Sequence, residues 1–204
     1  MTVRKGEAWG ATGPAPTDMV TATDDAALRR IVCEALSSGR RPPPVGLLGG
    51  DMMRAVGGSG DETRFSGEVA ILPVDVVRLE AAGGETWCCS QVIARRRWWR
   101  GEVVAAMNAQ HLGAWDVAPR AHPGDGRVDI VRVDPAMSWR DRLRARGRLV
   151  HGTHLPHPCI EVRQHTEVEL GFAHPLSLIV DGEHWVTAQS VRVIVVPEAL
   201  TVVV

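Results

Sequence analysis

An α+β chain, mainly β, is what this sequence predicts: an antiparallel β-sandwich preceded by a small α/β layer. Three observations point there. Apolar residues at helical spacing are concentrated before residue 60, with one later stretch at 137–150. From residue 69 onward, Val-rich runs are punctuated by Gly-Gly and Asp-Gly pairs, the chemistry of hairpin turns. Of the 204 residues 45% are hydrophobic, enough for a core, yet there are only seven Trp, two Phe and no Tyr. Val, Leu, Ile and Ala must fill that core. The polar stretch 59–63 marks a boundary, giving an α/β layer at 1–60 and a sandwich at 61–204.

Taken in order, residues 6–17 are rich in Gly, Pro and Ala and read as a loop or arm. Residues 18–23 suit a short strand. Asp24 is placed to cap a helix whose Leu28, Ile31, Val32, Ala35 and Leu36 share one face. Gly39 and the prolines after it end that helix. Residues 45–48 form a short buried strand, and Gly49-Gly50-Asp51 turns into a second helix at 52–56. This strand–helix alternation is the start of a parallel α/β layer. Residues 69–79 and 87–94 then read as paired strands around a Gly-Gly turn, and 103–107 as an apolar strand ending at Asn108. Asp125-Gly126 turns the chain into a strand at 127–133. Ser138 is a plausible cap for the helix at 137–150, with Trp139, Leu143 and Val150 as its apolar face and Arg140, Arg144 and Arg148 as a basic stripe. Strands follow at 160–164, 167–173, 176–180, 185–196 and 200–204, with turns at Asp181-Gly182 and Pro197-Glu198.

The composition excludes some functions. A net charge of −1 provides no global field for nucleic acid. Cys33, Cys88, Cys89 and Cys159 form no Cys-x-x-Cys pair, so reduced thiols in a cytoplasmic protein are expected rather than a zinc site. His151, His154, His157 and Cys159 crowd together, but Pro156 and Pro158 extend the chain and scatter their side chains. No run is long enough to cross a bilayer, and the first ten residues carry no secretion-type apolar core. Arg95-Arg96-Arg97-Trp98-Trp99-Arg100 fits an anionic membrane surface, a nucleic-acid groove with base-stacking Trp, or a solvated turn whose Trp residues cover the sandwich edge; a lipid surface suits the cluster better than nucleic acid.

One ordered set of residues goes further. Asn108, Pro119, Ala121, Asp125, Gly126 and Asp129 resemble the C-terminal domain of diacylglycerol kinases and related lipid kinases, which carry an Asn at a strand end, Pro-x-Ala, then Asp-Gly-x-x-Asp. Leu48-Gly49-Gly50-Asp51-Met52-Met53-Arg54 is similar to the family's Gly-Thr-Gly-Asn-Asp loop, lacking its Thr and Asn. Asp75 resembles a family Asp near a strand start, and Asp181-Gly182-Glu183 matches a family Asp-Gly-Glu. The family's nucleotide loop, Gly-Gly-Asp-Gly-Thr, falls on Thr23-Asp24-Asp25-Ala26-Ala27, where only Asp25 matches.

The resemblance implies a truncated α/β layer on a lipid-kinase sandwich. It implies ATP and Mg²⁺ as cofactors if the chain is active, with Asp25, Gly49, Gly50, Asp51 and Arg54 toward the nucleotide and Asp51, Asp75 and Glu183 toward the metal. Asp181 and Glu183 would then act at the acceptor hydroxyl of a lipid. The loss of loop glycines argues against ATP binding, because φ > 0 and close backbone approach are what let amides face a phosphate. Two readings compete: a reduced but working lipid kinase, and a non-catalytic lipid- or protein-binding module that kept the sandwich. Expected partners are a lipid or an anionic membrane surface, with peripheral membrane association and no nucleic acid. The short first layer leaves open a homodimer in which a second copy covers its unpaired edge.

Overall fold

The computed structural model describes residues 9–204; the expected arm at 6–17 lies partly outside them. The described part of that arm is not all loop. Strand β1 (Ala11–Pro14) pairs antiparallel with β4 (Glu68–Ala81), anchored by Trp9, whose indole N–H donates to Pro73 O at 2.9 Å. Edge pairing accommodates the terminal Pro14, which has no N–H to donate.

The front layer follows the periodicity. Strand β2 (Val20–Ala22) runs parallel to β3 (Val45–Leu47), and helix α1 (Asp25–Ser37) packs on them through Leu28, Val32 and Ala35. The Asp24 carboxylate caps α1, accepting the Ala27 N–H at 2.7 Å. Helix α2 (Gly50–Ala55) starts two residues before the expected position. This layer is not separate from the rest. β3 pairs in parallel with the end of β13 (Glu183–Val203), and one apolar cluster joins Leu28, Val45 and Met52 to Val74, Leu200 and Val202.

The remainder is the expected antiparallel sandwich. Its path runs β1–β4–β13–β12–β6–β7–β10–β11, where β6 is Gln91–Arg95, β7 Val103–Met107, β10 Val128–Val133, β11 Ile160–His165 and β12 Glu167–Val180. Strand β5 (Gly84–Cys88) hangs from β4. Valine, leucine and alanine from β4, β6, β7, β12 and β13 form the inner core. The Asp181-Gly182 turn has φ of 47° and 89°, the twisted two-residue hairpin that suits this pair.

Four expectations are corrected. The expected strand at 87–94 breaks at Cys89-Ser90, because a distant carboxylate draws off the amides there. The expected breaks at 174–175 and at Pro197-Glu198 are register shifts inside the continuous strands β12 and β13. At the second of these the Glu198 N–H is taken by Asp75. Helix α3 (Trp139–Leu149), capped by Ser138 as expected, turns its apolar stripe outward: Trp139 is 62% exposed, and Leu143 and Val150 are each 52% exposed. Arg142 and Ala145 face in instead.

Candidate functional site

Two carboxylate groups form where the front layer meets the sandwich. The first gathers Asp25, Asp51 and Asp181. Asp25, opening α1, accepts the N–H groups of Asp51 at 2.5 Å and Met52 at 3.0 Å, and the Ser90 hydroxyl at 2.5 Å. It therefore caps α2, occupying the positive end of that helix. Burial pushes its pKa up against those hydrogen bonds. Gly49 and Gly50 are needed for this fit: a Cβ on Gly50, whose φ is +95°, would lie 2.8 Å from the Asp25 carboxylate, and one on Gly49 would lie 2.3 Å from Thr23 O.

Asp181 is buried beneath the turn between β5 and β6. It accepts the N–H groups of Cys89 at 2.7 Å, Ser90 at 2.8 Å and Gln91 at 3.0 Å, and burial still lifts it to about 6. Gln91 links it to α2, since its side-chain amide donates to Asp51 at 3.2 Å. Asp51 also accepts the Gly113 N–H at 2.9 Å, and Arg54 donates to the carbonyl of the same residue. Helix α2 thus grips both polar groups of Gly113, at the tip of a hairpin formed by β8 (His111–Leu112) and β9 (Trp115–Asp116).

The second group gathers Asp75, Asp125 and Asp129. Asp75 accepts the N–H of Gly126 at 2.7 Å and of Glu198 at 3.0 Å. Burial lifts both Asp75 and Asp125 to about 6 and raises Asp129. Asn108 ties the groups together, its amide donating to Asp75 O at 2.9 Å and Cys89 O at 2.7 Å. Pro119 and Ala121 flank the same loop, with Ala121 buried. The motif residues therefore meet, with Asp51 and Asp181 one bridging residue apart.

The proposed metal set does not meet. Asp51 is engaged with Gln91 and Gly113, and Asp75 with two backbone amides. Glu183 lies half-exposed on the far side of the turn, paired with Arg29 at 3.4 Å and Arg30 at 3.2 Å. Among the described residues no three His, Cys, Asp or Glu groups are placed to hold a metal ion. A nucleotide phosphate fits no better in the family's manner. It needs free N–H donors at a helix start, whereas Asp24 caps α1 and the Asp25 carboxylate fills the cradle at α2.

A second feature lies across β6, β7 and β10, on the face away from the inner core. It is an apolar cavity of about 390 Å³, floored by Ile93, Ala105 and Val131 and roofed by Ala145 and Leu149 of α3. The β8–β9 hairpin walls one side with Leu112 and Trp115, joined by Val117 and His154. Trp98 and Trp99 line the other side, and Arg146 stacks 5.4 Å over both Trp99 and Trp115. The buried Arg142 guanidinium pins α3 by donating to the carbonyls of Trp98, Gly101, Asp134 and Met137. Sequence reasoning missed Gln91, Ser90, Gly113 and this cavity. Gln91 alone left a trace, a polar residue opening the apolar run of β6.

The comparisons agree with this architecture. Residues 74–204 match the family described as the YegS C-terminal NAD kinase beta sandwich-like domain. No curated protein matches the chain. Among solved structures, a diacylglycerol kinase from Bacillus anthracis str. Sterne is 12% identical, aligning over 91% of this chain and 75% of its own with a TM-score of 0.66. A protein from the same organism, provisionally assigned as a diacylglycerol kinase, is also 12% identical and aligns over 91% and 77% with a TM-score of 0.70. At such identity both likenesses speak to the fold. The family match covers more than half of the chain, and it joins the Asn108-to-Asp129 motif to a sandwich of the same kind: the chain belongs to the family of the YegS C-terminal NAD kinase beta sandwich-like domain.

Proposed function

We propose that this chain is a lipid-binding member of the lipid-kinase family that works at an anionic membrane surface, with nucleotide binding impaired. The observation that carries this reading is the apolar cavity under α3, whose volume lies in the range of small-ligand sites. The surface around it supports the same reading. Trp98, Trp99, Trp139, Leu143 and Val150 account for nearly all the exposed large apolar side chains of the described residues. Arginines surround them, and Arg96, Arg97, Arg100, Arg140 and Arg148 form no salt bridge among the described residues. Trp at the headgroup level with Arg on anionic phosphates is how proteins lie on a bilayer without crossing it. No described helix is long and apolar enough to cross one. A cytoplasmic protein peripheral to the membrane is the corresponding location.

The capped starts of α1 and α2 support impaired nucleotide binding, and so does the clustering of negative charge at Asp25 and Asp51. The competing reading is a working kinase that transfers phosphate from ATP, with Mg²⁺, to a lipid hydroxyl. Its support is the closeness of Asp51 and Asp181 through Gln91. Vesicle cosedimentation and thermal shift separate the two. Binding to vesicles containing anionic lipid but not to neutral ones, with no stabilisation by Mg-ATP, is expected. Stabilisation by Mg-ATP that Asp51→Ala abolishes would favour the kinase. Failure to bind any vesicle or lipid would sink the proposal.

A further inference from the structure

We propose that the open groove beside the α3 cavity, lined by Arg95, Arg96, His174, Ser177 and Thr187, is a phosphate site. It lies on the same sheet face as that cavity, because Arg95 follows the floor residue Ile93 by two positions along β6. Strand register builds it. Arg95 stands opposite Ser177 of β12, and Ser177 stands opposite Thr187 of β13. A guanidinium and two hydroxyls therefore form one row across three strands. The rim is a bulge in β12. Residues 172–175 fit between Gly171, paired with Ser190, and Leu176, paired with Ala188, so this stretch faces Gln189 alone. The buried Phe172 anchors the bulge inward, and His174 and Pro175 reach the groove.

What the groove lacks is an anion. No Asp or Glu lines it. Arg95 stacks 4.4 Å over the Trp98 ring, which holds the guanidinium in place, yet no carboxylate or carbonyl among the described residues accepts from it. Glu102, next to the cross-strand partner Val103, is taken by Arg132. Arg96 is exposed and likewise forms no ion pair among the described residues. Arginines on the neighbouring strands are matched: Arg192 pairs with Glu80 and Glu167, and Arg78 with Glu80 and Glu85. A phosphate group suits the unmatched set. Its oxygens accept from a guanidinium fork and from hydroxyls at once, and two arginines offset its charge. The carrier is a lipid headgroup or a soluble phosphate, and the recognition chemistry is the same for both. The assignment stands apart from the lipid-binding reading, since it needs neither an occupant in the cavity nor the α3 stripe.

Inorganic phosphate is the probe, titrated into the full chain against chloride at constant ionic strength and followed by calorimetry and by the Arg95 Nε–H resonance. Saturable binding that moves this resonance is expected with phosphate and not with chloride. Arg95→Gln is expected to weaken phosphate roughly tenfold, the worth of a charge-assisted hydrogen bond, and Thr187→Val, which keeps the branched strand shape, roughly threefold. Arg95 also stacks on Trp98, so Arg96→Gln at an exposed position serves as the variant that leaves folding intact, and it too is expected to weaken phosphate. Phosphatidylglycerol vesicles identify the carrier. Displacement of the chain from them by phosphate, but not by chloride at equal ionic strength, assigns the groove to headgroups; phosphate binding without displacement assigns it to a soluble phosphate. Both results support the site. Absence of saturable phosphate binding in the wild type overturns it, as does an affinity that Arg95→Gln and Thr187→Val leave unchanged. If vesicle binding fails while phosphate still binds, the lipid-binding reading falls and this site stands.

Discussion

The acidic junction and the α3 face are opposites in how they treat polar groups. At the junction, Asp25, Asp51, Asp75 and Asp181 each accept at least two hydrogen bonds from the protein itself. At the α3 face, Arg144 pairs with Asp141, but Arg140 and Arg148 have no acid partner among the described residues, tryptophans stand in solvent and a buried imidazole nitrogen lacks a donor. These carboxylates act as joints between loops. On the reading proposed above, binding belongs to the surface whose groups remain unsatisfied. A site is better located by what its groups still lack than by which residue types it contains.

The sharpest way to break this contrast is Asp181→Ala. It strands three buried N–H groups, so a loss of about 3–5 kcal/mol in chemical denaturation is expected. A near-neutral result would mean that Asp181 is free to do chemistry. On the other region, Trp139→Ala with Leu143→Ala should cost folding stability only about 0.5 kcal/mol. The same pair should weaken partition onto anionic vesicles roughly tenfold or more. If stability falls instead while vesicle binding holds, the stripe is a hidden structural contact.

Protonation sharpens the contrast further. Burial raises Asp181 to about 6 from an ordinary 3.8. The folded state therefore holds a proton that the unfolded state has released between those values. Stability contributed this way is present at low pH and is lost as pH rises through about 6. Compared with Asp181→Asn, the wild type should gain on the order of 1–3 kcal/mol between about pH 7.5 and pH 4.5, read from paired denaturation curves. The opposite sign would mean that the amide hydrogen bonds outweigh burial. The smallest expected effect is one arginine at a time: Arg140→Gln or Arg148→Gln should each cost about 1 kcal/mol of vesicle binding at low salt and less at high salt.

Much of the fold was legible, for local reasons. Asp24 and Ser138 announce helices, Asp181-Gly182 announces a hairpin, and alternation announces strands, because caps, turns and pleats are set by neighbouring residues. The errors came from distant partners. Nothing near Cys89 and Ser90 says that a carboxylate ninety residues away will take their amides. The stripe of Trp139, Leu143 and Val150 was visible, but periodicity gives a stripe and not its direction; the carbonyls that draw Arg142 inward belong to other segments. The candidate acids were found through the motif, whereas their partners Gln91 and Gly113 carry no local mark. The cavity, built from several strands and a helix, exists only once the chain is assembled.

The parallel pairing of β3 with Val202 and Val203 has a consequence for the order of events during synthesis. The front layer leaves the ribosome before residues 202–204, yet one side of its strand β3 has no neighbour until they appear, and the Ala70 N–H waits for the Val204 carbonyl. Closure over so long a stretch of chain is slow relative to local helix formation. Val202, Val203 and Val204 therefore complete an edge whose other strands are made roughly 130 or more residues earlier.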